Sequence, residues 1–257
     1  MPYNLKRKVF DAALMTAILY GAETWLTDHL SKLEKHYNMA MKLLLGVRSC
    51  TPNILCNIEG GLPTISTYIF DRRRNFVKKF IANASGDEPL SLVLRLCQSE
   101  NTPGIKLIQK ALNYVGDPKV DCINTLKELC RSKAQNASRF ETYLAMNPTL
   151  TTCVIYTQRL YVEDHYRLAF TRFRLSSHSL KVETGRWSRV PRVERVCNCN
   201  NVDIQDEDHV LFRCKRTEHI RNEFKNVFQS INGSMVAFMS CEEMPRPLIV
   251  YKTLCCY

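Results

Sequence analysis

Four residues in the last quarter of the chain, Cys197, Cys199, His209 and Cys214, form the pattern C-x-C-x9-H-x4-C. Three thiolates and one imidazole are the donor set of a closed tetrahedral zinc site, in which the protein fills every coordination position. Such a site holds structure rather than activating water, and here it would clamp the loop at 195–205 onto the segment 206–228. Cys197 and Cys199 are one residue apart where a knuckle usually has two, so the turn around an ion must be tighter. The competing reading places Cys214 in the core and leaves Cys197 and Cys199 as surface thiols. Asp206, Glu207 and Asp208 precede the histidine; they either orient its second ring nitrogen or, more simply, put negative charge at a helix N-terminus. His219 is a weaker fifth candidate, and His29, His36, His165 and His178 read as ordinary. Cys50, Cys56, Cys97, Cys122, Cys130, Cys153 and Cys241 read as reduced core thiols, since they are scattered and no secretory signal accompanies them.

The elements around this constellation read as helices. Val9, Phe10, Ala13, Leu14, Ala17 and Ile18 fall at helical spacing, and Gly21 follows as a stop. A second helix is expected from a cap at Thr27-Asp28 through Leu30, Leu33, Tyr37, Met41 and Leu44 to Gly46. Thr51-Pro52 opens a short one that Gly60-Gly61 breaks, and Pro63 opens another through Ile65, Ile69, Phe76 and Phe80. Residues 86–150 hold three or four shorter helical patterns between turn signals, among them Ser85-Gly86 and Gly116-Asp117-Pro118, and no chemistry. A longer helix is expected at about Tyr156–Leu175, a short strand around Leu180–Val182, and a last helix from Asp206 to about Phe228. The fold class is therefore mainly α: a helical N-terminal region (1–85), a helical middle (86–150), a basic helix with the zinc-knuckle-like module (151–228) and a tail (229–257).

The charge balance points to a polyanion. The 257 residues carry a formal net charge of +11, and neutralising phosphates releases counterions and steers association. The excess is regional: residues 1–85 hold 12 basic and 6 acidic side chains and 151–225 hold 14 and 10, against 8 and 7 in 86–150. In the first region Arg72, Arg73, Arg74, Lys78 and Lys79 share one helix. In the second, Arg172, Arg174, Arg186, Arg189, Arg192 and Arg195 lie among Phe170, Phe173 and Trp187. Guanidinium planes beside aromatic faces suit single-stranded or structured RNA or DNA, on whose bases they stack; the bland alternative is a solvated basic face around a buried Trp. No apolar run reaches the 18 to 20 or so residues that span a bilayer, so an intracellular protein, nuclear or cytoplasmic and not membrane-bound, is expected.

Several chemistries lack their residues. Polymerase-type metal catalysis needs paired carboxylates, and no Asp-Asp dipeptide occurs. There is no Gly-rich phosphate loop, no G-x-S-x-G and no H-E-x-x-H. The chain is expected not to be an enzyme by itself.

Two stretches carry a resemblance. Leu19-Tyr20-Gly21-Ala22-Glu23-Thr24-Trp25, followed by Leu43-Leu44-Leu45-Gly46-Val47-Arg48, resembles the stretch after the palm in non-LTR (LINE-type) retrotransposon reverse transcriptases, where it belongs to the thumb. Phe173-Arg174-Leu175, His178, Leu180, Glu183, Gly185-Arg186-Trp187, Arg195-Val196-Cys197 and the run Asp206–Cys214 resemble that family's C-terminal zinc-knuckle region in order and spacing. The resemblance covers about half the chain, residues 5–80 and 155–225. It implies a thumb that holds template and primer, a zinc-bound knuckle that contacts element RNA or target DNA, and an apolar thumb face open to self-association. Neither the family's catalytic carboxylates nor its endonuclease has a counterpart in these residues.

Overall fold

The computed structural model describes residues 3–25, 30–82, 103–156, 162–240 and 245–257. The mainly α reading holds: among the described residues the only β pairing is one antiparallel bridge, Val196 to Ile204. The expected cap at Thr27-Asp28, the turn at Ser85-Gly86, His29, Cys97 and Cys241 lie outside the described residues.

Helix α1 (Tyr3–Val9) continues through a π-helical turn at Phe10–Met15 into Thr16–Ile18. The extra residue of a π turn rotates the phase of the buried stripe. Phe10 and Met15 are buried as a result, whereas Val9, Ala13 and Ala17 of the expected stripe face out. Helix α2 (Ser31–Leu45) buries Tyr37, Met41 and Leu44 as its spacing predicts. It ends at Gly46, whose φ of 72° is the left-handed conformation that closes helix C-termini. The Gly46 and Val47 amides both donate to the Lys42 carbonyl, at 2.8 and 3.0 Å.

Helix α3 (Asn53–Gly60) starts one residue later than its Thr51-Pro52 signal suggested, and Gly61 at φ 60° ends it. Helix α4 (Ile65–Ala82) carries the first basic cluster, α5 (Pro103–Leu112) packs against it, and α6 (Pro118–Ala134) packs on α7 (Ser138–Met146). Asp117 caps α6 by accepting from the Lys119 amide at 2.8 Å, with Pro118 in the first helical position.

The expected helix at Tyr156–Leu175 is shorter: α8 runs from Asp164 to Arg174, after a separate 3-10 turn at Val154–Tyr156. The expected strand at Leu180–Val182 is instead the start of helix α9 (Lys181–Trp187). Only Leu180 is extended, and its carbonyl accepts from the Glu183 and Thr184 amides. The expected helix from Asp206 to Phe228 is broken into a π-helical turn (His209–Arg213), a 3-10 turn (Lys215–Thr217), α10 (Glu218–Glu223) and α11 (Lys225–Ile231). Helices α12 (Met235–Met239) and α13 (Pro245–Cys255) follow, α13 lying along α8.

One apolar cluster runs through these helices, from Tyr3 to Val250. Each large apolar side chain in it contributes about 1.5–3 kcal/mol by leaving water. A charged group sits inside this cluster. Arg174 and Glu59, 3% and 0% exposed, pair through Nε–Oε1 at 2.7 Å and Nη2–Oε2 at 3.0 Å. Tyr143 and Tyr156 donate to the same carboxylate, and Arg174 Nη1 donates to the Met239 carbonyl. The network ties α3, α7, α8 and α12 together at a point set by chemistry rather than by apolar fit.

Candidate metal centre

The loop carrying the first two cysteines is a tight hairpin. Val196 and Ile204 pair, the Cys197 amide donates to the Asp203 carbonyl at 2.7 Å, and the Gln205 amide to the Arg195 carbonyl at 2.9 Å. Asn200 organises the tip by accepting from the Val202 and Asp203 amides, and Asn201 takes a left-handed φ of 54°. This turn brings Cys197 and Cys199 together in spite of their one-residue spacing.

His209 and Cys214 are five residues apart, which on an α-helix would separate them by about 140° around the axis. The π-helical turn removes that separation, because its i to i+5 hydrogen bond sets residues five apart above one another. The Cys214 amide donates to the His209 carbonyl at 2.7 Å. Cys214 itself is extended, which ends the helix and turns its side chain inward. Arg221 and Thr217 take up carbonyls left over by the break: Arg221 Nη2 donates to Cys214 O at 2.6 Å and Thr217 Oγ1 to Val210 O at 2.7 Å.

The four donor atoms lie within 4.8 Å of one another. Cys197 Sγ is 3.7 Å from Cys214 Sγ, and Cys199 Sγ is 3.2 Å from His209 Nε2. Zinc with tetrahedral bonds requires edges of about 3.8 Å between sulfurs and about 3.5 Å from sulfur to nitrogen. Cys197, Cys214 and His209 are buried and Cys199 is half-buried, so the cluster opens to solvent on one side. His209 Nδ1 is buried without a hydrogen bond, while Asp203 Oδ2 stands 3.5 Å away, in the place of an outer carboxylate. The donor set and its geometry fit a structural metal.

The thiols share their protons unevenly. Burial pushes the Cys197 thiol up, but hydrogen bonds from the Cys199 amide, Gln205, Cys199 and Cys214 outweigh it and bring it down to about 6. Burial and the neighbouring Cys197 and Cys214 push Cys199 up to about 11. Two further groups reach the sulfurs. Gln205 Nε2 lies 3.7 Å from Cys197 Sγ, and the Tyr257 hydroxyl donates to Cys214 Sγ at 2.7 Å.

The acidic run divides its roles. Asp206 Oδ1 accepts from the His209 amide at 2.9 Å, the helix-end role expected of it, and Asp208 pairs with Arg213 at 2.9 Å. Glu207 is buried and accepts from Ser176 at 3.2 Å and from His178 Nε2 at 2.9 Å. Burial pushes its carboxyl up, but His178 and Ser176 hold it below the usual range. His178, which carried no ligand signal by spacing, is thus a buried partner of the segment that carries His209. Asp203 and Tyr257 had no spacing signal at all.

Helix α9 braces the hairpin. Lys181 donates to the Val196 carbonyl and to Asn198, and its amide to Gln205. Arg195 is spent internally on the Val182 and Val190 carbonyls, and it lies so close over Gly185 that a Cβ there would meet its side chain at 2.7 Å.

The other basic residues fall into three groups. Arg73 and Arg174, assigned from sequence to contact surfaces, are buried, with Arg73 donating to the Trp25 carbonyl. Arg186 is half-buried against Glu183 at 3.1 Å, and Arg74 is half-buried with its guanidinium 5.8 Å from the Tyr114 ring. Lys78, Lys79, Arg72, Arg172, Arg189 and Arg192 are exposed. Trp187, read as buried in the bland alternative, is 51% exposed and lies under the Arg48 guanidinium at 4.3 Å. Of the cysteines read as core, Cys56, Cys130 and Cys153 are buried, Cys122 is half-buried and Cys50 is exposed.

Compared with known proteins, the chain matches no family model, no curated protein and no solved structure. Among the described residues, no helix is long and apolar enough to cross a membrane.

Proposed function

We propose that the chain is a nucleic-acid-binding fragment of a non-LTR retrotransposon reverse transcriptase, with zinc bound by Cys197, Cys199, His209 and Cys214. The observation that carries this reading is the convergence of those four side chains, in the order of the knuckle pattern the sequence resembles. Zinc there supplies a cross-link between hairpin and helix and no reaction step. The chain's own residues do the binding: exposed Lys78, Lys79 and Arg72 on α4, exposed Arg172 on α8, and exposed Arg189 and Arg192. No polymerase step is assigned to these residues. Exposed Leu5 and Val9 on α1 and Met39 on α2 are apolar side chains open to self-association.

Two measurements test the reading. Purified protein is expected to carry one zinc per chain, and Cys197→Ser and Cys214→Ser variants to lose it. Affinity for single-stranded RNA or DNA falls by orders of magnitude between about 50 and 200 mM salt, as several phosphate contacts require. A metal-free folded protein or a salt-independent complex overturns it.

The rival, a helical interaction or structural protein, draws support from one observation: Arg73, Arg174 and Arg195 serve internal partners rather than the surface. Tight binding to a protein without affinity for polynucleotide would establish that rival.

A further inference from the structure

A cavity of about 570 Å³ opens between the C-terminal end of α2, helix α8 and helix α13, apart from the metal cluster. Its apolar lining includes Leu43, Leu168 and Leu254, and one wall carries the His165 and Tyr251 rings, 5.0 Å apart. Two guanidiniums also line it. Arg172 is held by its Nε, which donates to the Gly46 carbonyl at 2.7 Å. Arg48 is held at three points: its amide donates to Ser177 Oγ at 2.9 Å, its Nη1 to the His178 carbonyl at 2.8 Å, and its plane lies over Trp187. Among the described residues neither guanidinium has a carboxylate within ion-pairing distance, although eleven other lysines and arginines do.

Two pre-oriented, unneutralised guanidiniums ask for an anion with several acceptor oxygens, which is what a phosphate offers. An apolar, aromatic-walled space beside them asks for a flat, weakly polar group, and the volume lies within the range of small-ligand sites. A nucleotide has both parts on one molecule. We propose that this cavity binds one nucleotide unit of a single-stranded nucleic acid, with its phosphate on Arg48 and Arg172 and its base between the aromatic wall and the leucine floor. The proposal rests on the nucleic-acid-binding reading above and gives it a defined anchor point. The close approach of Gly46 to Leu168 fixes the loop that presents Arg48 against the helix that presents Arg172, so the site is built into the fold.

The probe is uridine monophosphate, titrated against the zinc-loaded full chain while tryptophan emission is followed, with uridine as the control that lacks phosphate. An oligouridylate of about a dozen residues is titrated in parallel by fluorescence anisotropy. Native protein responds to the monophosphate and not to uridine. The R48Q/R172Q variant loses that response and binds the oligonucleotide about tenfold more weakly, whereas K78Q/K79Q keeps the monophosphate response and loses only salt-dependent oligonucleotide affinity. Because R48Q also removes a bond to the His178 carbonyl, Ser179→Glu at the exposed rim is a second test. It keeps both arginines and repels a phosphate, so it weakens monophosphate binding in a protein of native melting temperature. Native binding of the oligonucleotide that neither R48Q/R172Q nor S179E alters overturns the cavity proposal alone. No oligonucleotide binding by the native protein at low salt overturns the parent reading as well.

Discussion

Glu59 and Arg174, 115 positions apart in sequence, meet in the centre of the molecule as a bidentate pair from which solvent is almost wholly excluded. Every oxygen of the carboxylate has a donor: Arg174 on both, Tyr143 on one and Tyr156 on the other. A buried pair adds little over well-packed apolar groups, yet losing one partner strands the other charge. Glu59→Gln is therefore expected to cost about 3–5 kcal/mol, and Glu59→Gln combined with Arg174→Met to recover a large part of it. Urea midpoints of the two variants decide this; a single variant as stable as the native chain would show that the arginine charge needs no partner.

Glycine replacements separate backbone strain from crowding. Gly21 and Gly46 both have left-handed φ, at 64° and 72°, but a Cβ on Gly21 meets nothing within 4 Å and one on Gly46 falls 2.0 Å from Leu168 Cδ2. Gly21→Ala pays only for its backbone conformation, about 1 kcal/mol. Gly46→Ala must also push α8 away from the end of α2, which raises the loss to about 2–4 kcal/mol. Thermal melting of the pair checks the ranking, and equal melting temperatures would mean that Leu168 yields freely.

Local signals account for much of what the sequence showed. Gly46 and Gly61 mark helix ends through the left-handed backbone that glycine tolerates, Asp117-Pro118 marks one through a side-chain cap and a fixed φ, and all three ends stand where expected. The four candidate ligands were legible because soft donors at close spacing are rare. Their mutual placement was not, because it depends on a π-helical turn that no 3.6-residue pattern reveals; the same blindness hid the phase change in α1 and the break at Cys214. Arginine content also misled in part. A guanidinium in a basic run looks the same whether it faces solvent, as Arg172 does, or a glutamate over a hundred residues away, as Arg174 does.

Tyr257 reaches the cluster from the far end of the chain. Its hydroxyl donates to Cys214 Sγ, and Arg216 lies over its ring at 5.0 Å while donating to the Cys256 carbonyl. A donor to a coordinating sulfur neutralises part of the thiolate charge and shields it from exchange. With zinc bound, Tyr257→Phe is expected to weaken metal retention roughly tenfold while leaving the helical signal unchanged. Competition with a chromophoric chelator measures this; retention equal to that of the native protein would reduce the tyrosine to packing.

Asp164 at the start of α8 joins that helix to α1 through Lys6 and also holds Arg167 at 2.8 Å. Burial pushes its carboxyl up, but the Lys6 and Arg167 hydrogen bonds and charges outweigh burial and leave it below the ordinary value of 3.8. A carboxyl depressed in the folded state stabilises the fold fully above its unfolded value. That contribution fades as pH falls through the folded one. Asp164→Asn is thus expected to lower stability by about 1 kcal/mol at neutral pH. The gap to the native protein should stay constant above the ordinary carboxylate range and close as pH falls through and below that range. Denaturant midpoints of both proteins across that range test the sign as well as the size. A gap that widened in acid would mean that Asp164 is held protonated in the fold, and that the link between α1 and α8 is a neutral hydrogen bond rather than an ion pair.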